Sequence, residues 1–110
     1  MSSTTQSPSV EFITVPAGAH KQIADAIQRF ILRSQQEGIG ALTPKDQAEL
    51  YILNKAHHCI QEGVNQFNIV DLQVKFLDGF TGRSANVWRL AFYAALRSVR
   101  EHYINPHTNS

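Results

Sequence analysis

The sequence predicts an all-α fold, a small irregular four-helix bundle, and three observations carry that prediction. An acidic residue, a glycine and a bulky apolar residue come in a row at Glu37-Gly38-Ile39, Glu62-Gly63-Val64 and Asp78-Gly79-Phe80. Glycine takes the left-handed backbone that ends a helix, and the apolar residue after it packs back on the last turn. Five residues past each glycine stands a residue able to accept hydrogen bonds from the free amides of the next helix: Thr43, Asn68 and Ser84. Between these signals the apolar residues recur mostly at helical period.

Taken in order, residues 1–9 are Ser/Thr-rich without an apolar pattern and read as a disordered tail. Residues 10–15, VEFITV, are β-prone and end at Pro16, and they suit a short extended arm against the helices. The first helix is expected over Ala19–Glu37, with Ile23, Ala26, Ile27, Phe30, Ile31 and Ser34 on one face and Leu32 opposite. The second opens at Thr43-Pro44-Lys45-Asp46, where proline fits the first helical position and the carboxylate favours the positive end. Its buried arc holds Ala48, Ile52, Leu53, Ala56, Cys59 and Ile60, with Leu50 at the edge.

Residues 69–77, IVDLQVKFL, carry two conflicting signals. Val70, Leu72, Val74 and Phe76 alternate with polar residues as in a strand. Against this, Asn68 can cap with Asp71 at the third helical position, Phe67 can staple onto Leu72, and Gly79-Phe80 supplies a stop. Three boundary signals outvote one period, so a short helix is expected. The alternative is an α+β fold in which 69–77 pairs with residues 10–15. The last helix, about Ala85–Ile104, buries Val87, Trp88, Ala91, Phe92, Ala95, Leu96, Val99 and Tyr103. Pro106 stops it, and residues 106–110 form a tail, leaving 10–105 as one helical domain.

Composition narrows the function classes. No apolar run reaches the roughly 18 residues a membrane helix needs, and no apolar signal segment follows Met1, so a cytoplasmic protein without membrane contact is expected. A lone Cys59 forms no internal disulfide, in keeping with a reducing compartment. Charged residues make up 17%, with nine Gln and six Asn in their place. A surface of neutral amides loses less on desolvation than one of Lys and Glu, so it tolerates a covering partner. Residues 1–82 hold six Lys/Arg against eight Asp/Glu, whereas 83–110 hold four Arg against one Glu. The basic part of the chain is its last helix.

That helix carries the leading candidate site, Arg83, Asn86, Arg89, Tyr93, Arg97 and Arg100. Arginines interleaved with Tyr and Asn suit an acidic protein partner or a row of phosphates, and the plain alternative is a solvated face with Arg97 paired to Glu101. A short helix, a Gly-containing turn and a longer Arg-bearing helix also resemble a helix-turn-helix in outline. The barely basic net charge of +1 and a turn read as Gly79–Arg83 speak against duplex DNA. Leu32 and Leu50, large apolar residues on or near polar faces, point to a helix–helix interface with a second copy or another protein.

Chemistry finds little support. Consecutive residues His57, His58 and Cys59 point about 100° apart and cannot converge on one metal, although His58 and Glu62 could make half a site. Cys59 falls in the core arc, where a thiol behaves as a small hydrophobe. There is no phosphate-binding glycine loop and no convincing carboxylate pair. No cofactor or metal is expected, and the reading is a non-catalytic protein-protein interaction or regulatory module acting through helical surfaces, with a homodimer as one form open to it and a helix-turn-helix-like nucleic-acid binder as the alternative.

Overall fold

Each of the three glycines takes the left-handed backbone its triplet implies, although Val64, the apolar residue after Gly63, is left exposed. In the computed structural model, which describes residues 12–104, Gly38, Gly63 and Gly79 have φ of 92°, 80° and 95°. The predicted tails, 1–9 and 106–110, lie outside the described residues. The stop at Gly63 is the most complete: the Val64 amide donates to the Cys59 carbonyl at 2.8 Å and the Gly63 amide to Ile60 at 3.0 Å. That pair of bonds satisfies carbonyls that the helix itself leaves open.

The elements follow in order as β1 (Phe12–Thr14), a 3-10 turn (Ala17–Ala19), α1 (His20–Glu37), α2 (Pro44–Gln61), β2 (Gln66–Asn68), α3 (Ile69–Leu77) and α4 (Gly82–Val99). A 3-10 turn (Ile39–Ala41) joins α1 to α2, and a π-helical turn (Arg100–Ile104) extends α4. The fold is a small, mostly α bundle with one two-stranded sheet. Two of the three expected caps form. Thr43 accepts from the Asp46 amide while the Asp46 carboxylate accepts from the Thr43 amide, a complete capping box. Asn68 accepts from the Asp71 amide at 3.1 Å, and residues 69–77 are helical.

The third cap is corrected. α4 begins at Gly82, with Thr81 extended before it, because the Ala85 amide already closes the first turn onto the Thr81 carbonyl at 3.3 Å. Ser84 therefore sits inside the helix. The linker between α3 and α4 shrinks to Asp78–Thr81, which removes the objection that the turn is too long for a helix-turn-helix. The α+β alternative is corrected too. The arm does pair, antiparallel, but Ile13 lies opposite Phe67, so its partner is the three residues before α3 rather than 69–77.

The core forms where apolar arcs meet. Ile23, Ala26 and Ile27 of α1, Ala48, Ile52, Leu53, Ala56 and Cys59 of α2, and Ala91, Phe92, Ala95, Leu96 and Val99 of α4 are buried together. Ile13 and Val15 from the arm, and Phe67, Ile69 and Leu72 around α3, complete it. The broadest helix contact is α2 with α4, both of which alternate buried alanines with large side chains. Phe76 anchors α3 among Tyr51, Trp88 and Phe92 at ring separations of 5.0, 5.9 and 5.5 Å. Phe80, the residue after the Gly79 stop, stacks on Trp88 at 5.1 Å. Such pairs add to simple area burial.

Candidate functional site

Burying one side of α4 fixes what the other side presents. With Phe92, Ala95 and Val99 at the centre of the inward face, Arg83, Asn86, Val87, Leu90, Tyr93, Ala94 and Arg97 fall within an outward arc of about 120°. The apolar members stay uncovered: Leu90 is 60% exposed, Val87 51% and Tyr93 50%. Leu90 stands near the middle of this arc, with Arg83 and Arg97 two turns away on either side. Val87 was expected in the core and instead lies outward, since the inward arc is already filled by Trp88, Ala91 and Phe92.

Of the predicted site residues, Arg83, Asn86, Tyr93 and Arg97 share the exposed face. Arg89 stands at its edge, where it donates to Asn86 Oδ1 at 3.3 Å. Tyr93 is tethered to α3 by its hydroxyl, which accepts from Gln73 Nε2 at 3.2 Å. Arg100 is half-buried in the π-helical turn and makes contacts of its own. Among the described residues no ion pair joins Arg97 to Glu101, and α4 itself holds three arginines and no carboxylate. A groove of about 550 Å³ runs beside this face, lined by Lys45, Leu90, Tyr93, Ala94, Arg97, Ser98 and Glu101.

Next to the groove, and sharing Lys45 and Ser98 with it, lies a second cleft of about 360 Å³ between α1, α2 and the end of α4. Its charges are largely matched internally: Arg33 with Asp46 at 2.9 Å and Lys45 with Glu49 at 3.2 Å. Glu49, only 7% exposed, is the one buried charged residue described. Burial pushes the Tyr103 hydroxyl above its ordinary pKa, the Glu49 carboxylate pushes the same way, and Arg29 opposes both. Arg33 Nε is buried without a hydrogen-bond partner. Sequence reasoning did not find this cleft. Its signals, cation and acid four apart in Lys45/Glu49 and Arg29/Arg33 four apart on α1, look locally like any solvated helix face.

The two leucines differ. Leu32 is 49% exposed, whereas Leu50 is half-buried and packs against the core. Cys59 is buried, as the arc implied. His57 packs its ring 5.4 Å from that of His20, and His58 is exposed. Among the described residues no three His, Cys, Asp or Glu side chains gather to hold a metal, and no helix is long and apolar enough to cross a membrane.

Comparison with family models, curated proteins and solved structures finds no match. The functional reading rests on the geometry.

Proposed function

We propose that this chain is a non-catalytic, cytoplasmic interaction or regulatory module that recruits a protein through the outward face of α4. The observation that supports this reading is Leu90, most of its surface in water, at the middle of a face that arginines rim and Tyr93 extends. Tyr and Arg around an apolar centre are the residues that dominate binding energy at protein interfaces. Neutral amides elsewhere on the surface lower the cost of covering it. A photo-crosslinking residue at position 90, in lysate of the native source, tests the reading. A discrete protein adduct is expected, and labelling of nucleic acid or of nothing refutes it.

A second reading, nucleic-acid binding, is favoured by one observation. The four-residue linker Asp78–Thr81 between α3 and α4 has the length of a helix-turn-helix turn, and Arg83 and Asn86 stand in the first turns of the longer helix. Binding that falls steeply with salt and persists when Leu90 is replaced would select it. Self-association through Leu32 is a further part of the first reading, with Leu50 the weaker contributor because the core already covers part of it.

A further inference from the structure

We infer that the partner of α4 is an acidic amphipathic helix, lying along the row Val87, Leu90 and Ala94 with its carboxylates reaching Arg83 and Arg97. This rests on the reading of α4 as a protein-binding face and narrows it to a chemistry. Arg83 and Arg97 lie on one helix face, separated along it by about 21 Å at 1.5 Å per residue, the length of a partner helix of roughly four turns. An amphipathic helix laid in such a groove places anchors at i, i+3 or i+4, and i+7, which is the spacing of the row it would cover.

Charge decides the sign of the partner. α4 carries three arginines and no carboxylate, and none of the three makes an ion pair among the described residues. Glu101 is the one acidic side chain lining the groove, against Lys45 and Arg97 in the same lining. A two-fold pairing of this face with itself would set arginine against arginine, so a second copy is disfavoured here. Phosphates would satisfy the arginines but would leave Val87 and Leu90 covered by charged oxygens, with no apolar surface to meet them. A helix with leucines on one stripe and glutamates on both flanks satisfies the two kinds of side chain together.

The test uses the full-length protein and an 18-residue synthetic peptide, helix-stabilised, with Leu at i, i+3 and i+7 flanked by Glu. A version with every Glu replaced by Gln, one with flanking Lys, and a duplex DNA oligonucleotide serve as comparators. Fluorescence anisotropy reads affinity, and amide chemical shifts read the site. The expected result is binding of the Glu peptide with shifts along α4, weakened about tenfold in the Gln version, since each tenfold is about 1.4 kcal/mol. Leu90→Asp should weaken it by at least as much, and Arg83→Glu with Arg97→Glu should transfer binding to the Lys peptide. Circular dichroism checks that each variant folds, and Leu90→Gln replaces Leu90→Asp if that variant does not. Equal binding of Glu and Gln peptides overturns the acidic partner while leaving α4 a protein-binding face. Absence of binding, or shifts elsewhere, overturns the inference, and the crosslink at position 90 then judges the broader reading separately. Preference for DNA, lost in the charge-reversed variant, overturns both.

Discussion

Asp46 ties three local interactions together, and its removal has a magnitude that can be worked from the structure. One carboxylate oxygen, Oδ2, accepts from the Thr43 amide at 3.2 Å and from Arg33 Nη2 at 2.9 Å. The same charge sits in the first turn of α2, where the helix dipole favours it. Losing the reciprocal half of the capping box costs about 0.5–1 kcal/mol. The ion pair, partly exposed with side chains at 40% and 22%, contributes about 0.5–1 kcal/mol, and the dipole term about 0.5 kcal/mol. Asp46→Ala should therefore destabilise by about 2 kcal/mol, or roughly 10 °C in Tm for a domain of this size. Urea denaturation of Asp46→Ala, Arg33→Ala and the double variant provides the assay. A coupling of about 0.5–1 kcal/mol between the two sites is expected. If the two losses simply add, or Asp46→Ala costs no more than Thr43→Ala, the pairing carries no stability and the reasoning fails.

Four other outcomes follow from the same structure. Asn68→Ala should lose about 1 kcal/mol because its side chain caps α3, whereas an unchanged urea midpoint would mean the cap is dispensable. Gly63→Ala should lose about 1 kcal/mol from its φ of 80° alone, since no atom lies within 4 Å of the added methyl; a gain in Tm would contradict this. With the Tyr103 hydroxyl raised in the fold, the unfolded chain ionises first. Stability should then fall as pH rises through the ordinary tyrosine pKa near 10, more in the wild type than in Tyr103→Phe. Light scattering should show a wild-type oligomer that Leu32→Glu dissociates, and a wild type that stays monomeric at high concentration would end the case for self-association.

The sequence was most informative where a single residue type has one cheap solution. Positive φ at Gly38, Gly63 and Gly79 follows from the triplets, and the caps at Thr43 and Asn68 follow from hydrogen-bonding side chains ahead of apolar periodicity. Segment 69–77 was legible only because boundary signals outvoted alternation: Leu72 goes inward while Val74 is left in water. Ser84 misled because the first turn closes on the Thr81 carbonyl three residues earlier, and Thr81 takes the N-cap position with no side-chain cap bond, so backbone bonding that side chains do not encode set the boundary. β2 was hidden because three residues carry no period. Leu90 lay in plain view on the helical wheel, but its meaning depended on which arc the other helices would fill. The cleft between α1, α2 and the end of α4 depends on how three helices meet, and no local pattern announces that.

Asn68 has a double duty with a consequence for how the molecule comes apart. It ends β2, opposite Phe12, and it also caps α3. A three-residue pairing is far too short to hold by itself, so the arm stays in place through the burial of Ile13 and Val15. Its partner strand lies about fifty residues along the chain, a loop whose closure brings no local bonds in return. The arm is therefore the segment expected to open first under mild denaturant or heat, before the helices part. Once it swings away, Gln66–Asn68 becomes a bare strand edge beside freshly exposed Phe67, which is a template for the same arm of another molecule. The strand that closes one molecule is then the part that can be exchanged with its neighbour, and domain swapping through this arm is the form of misassembly the fold is built to risk.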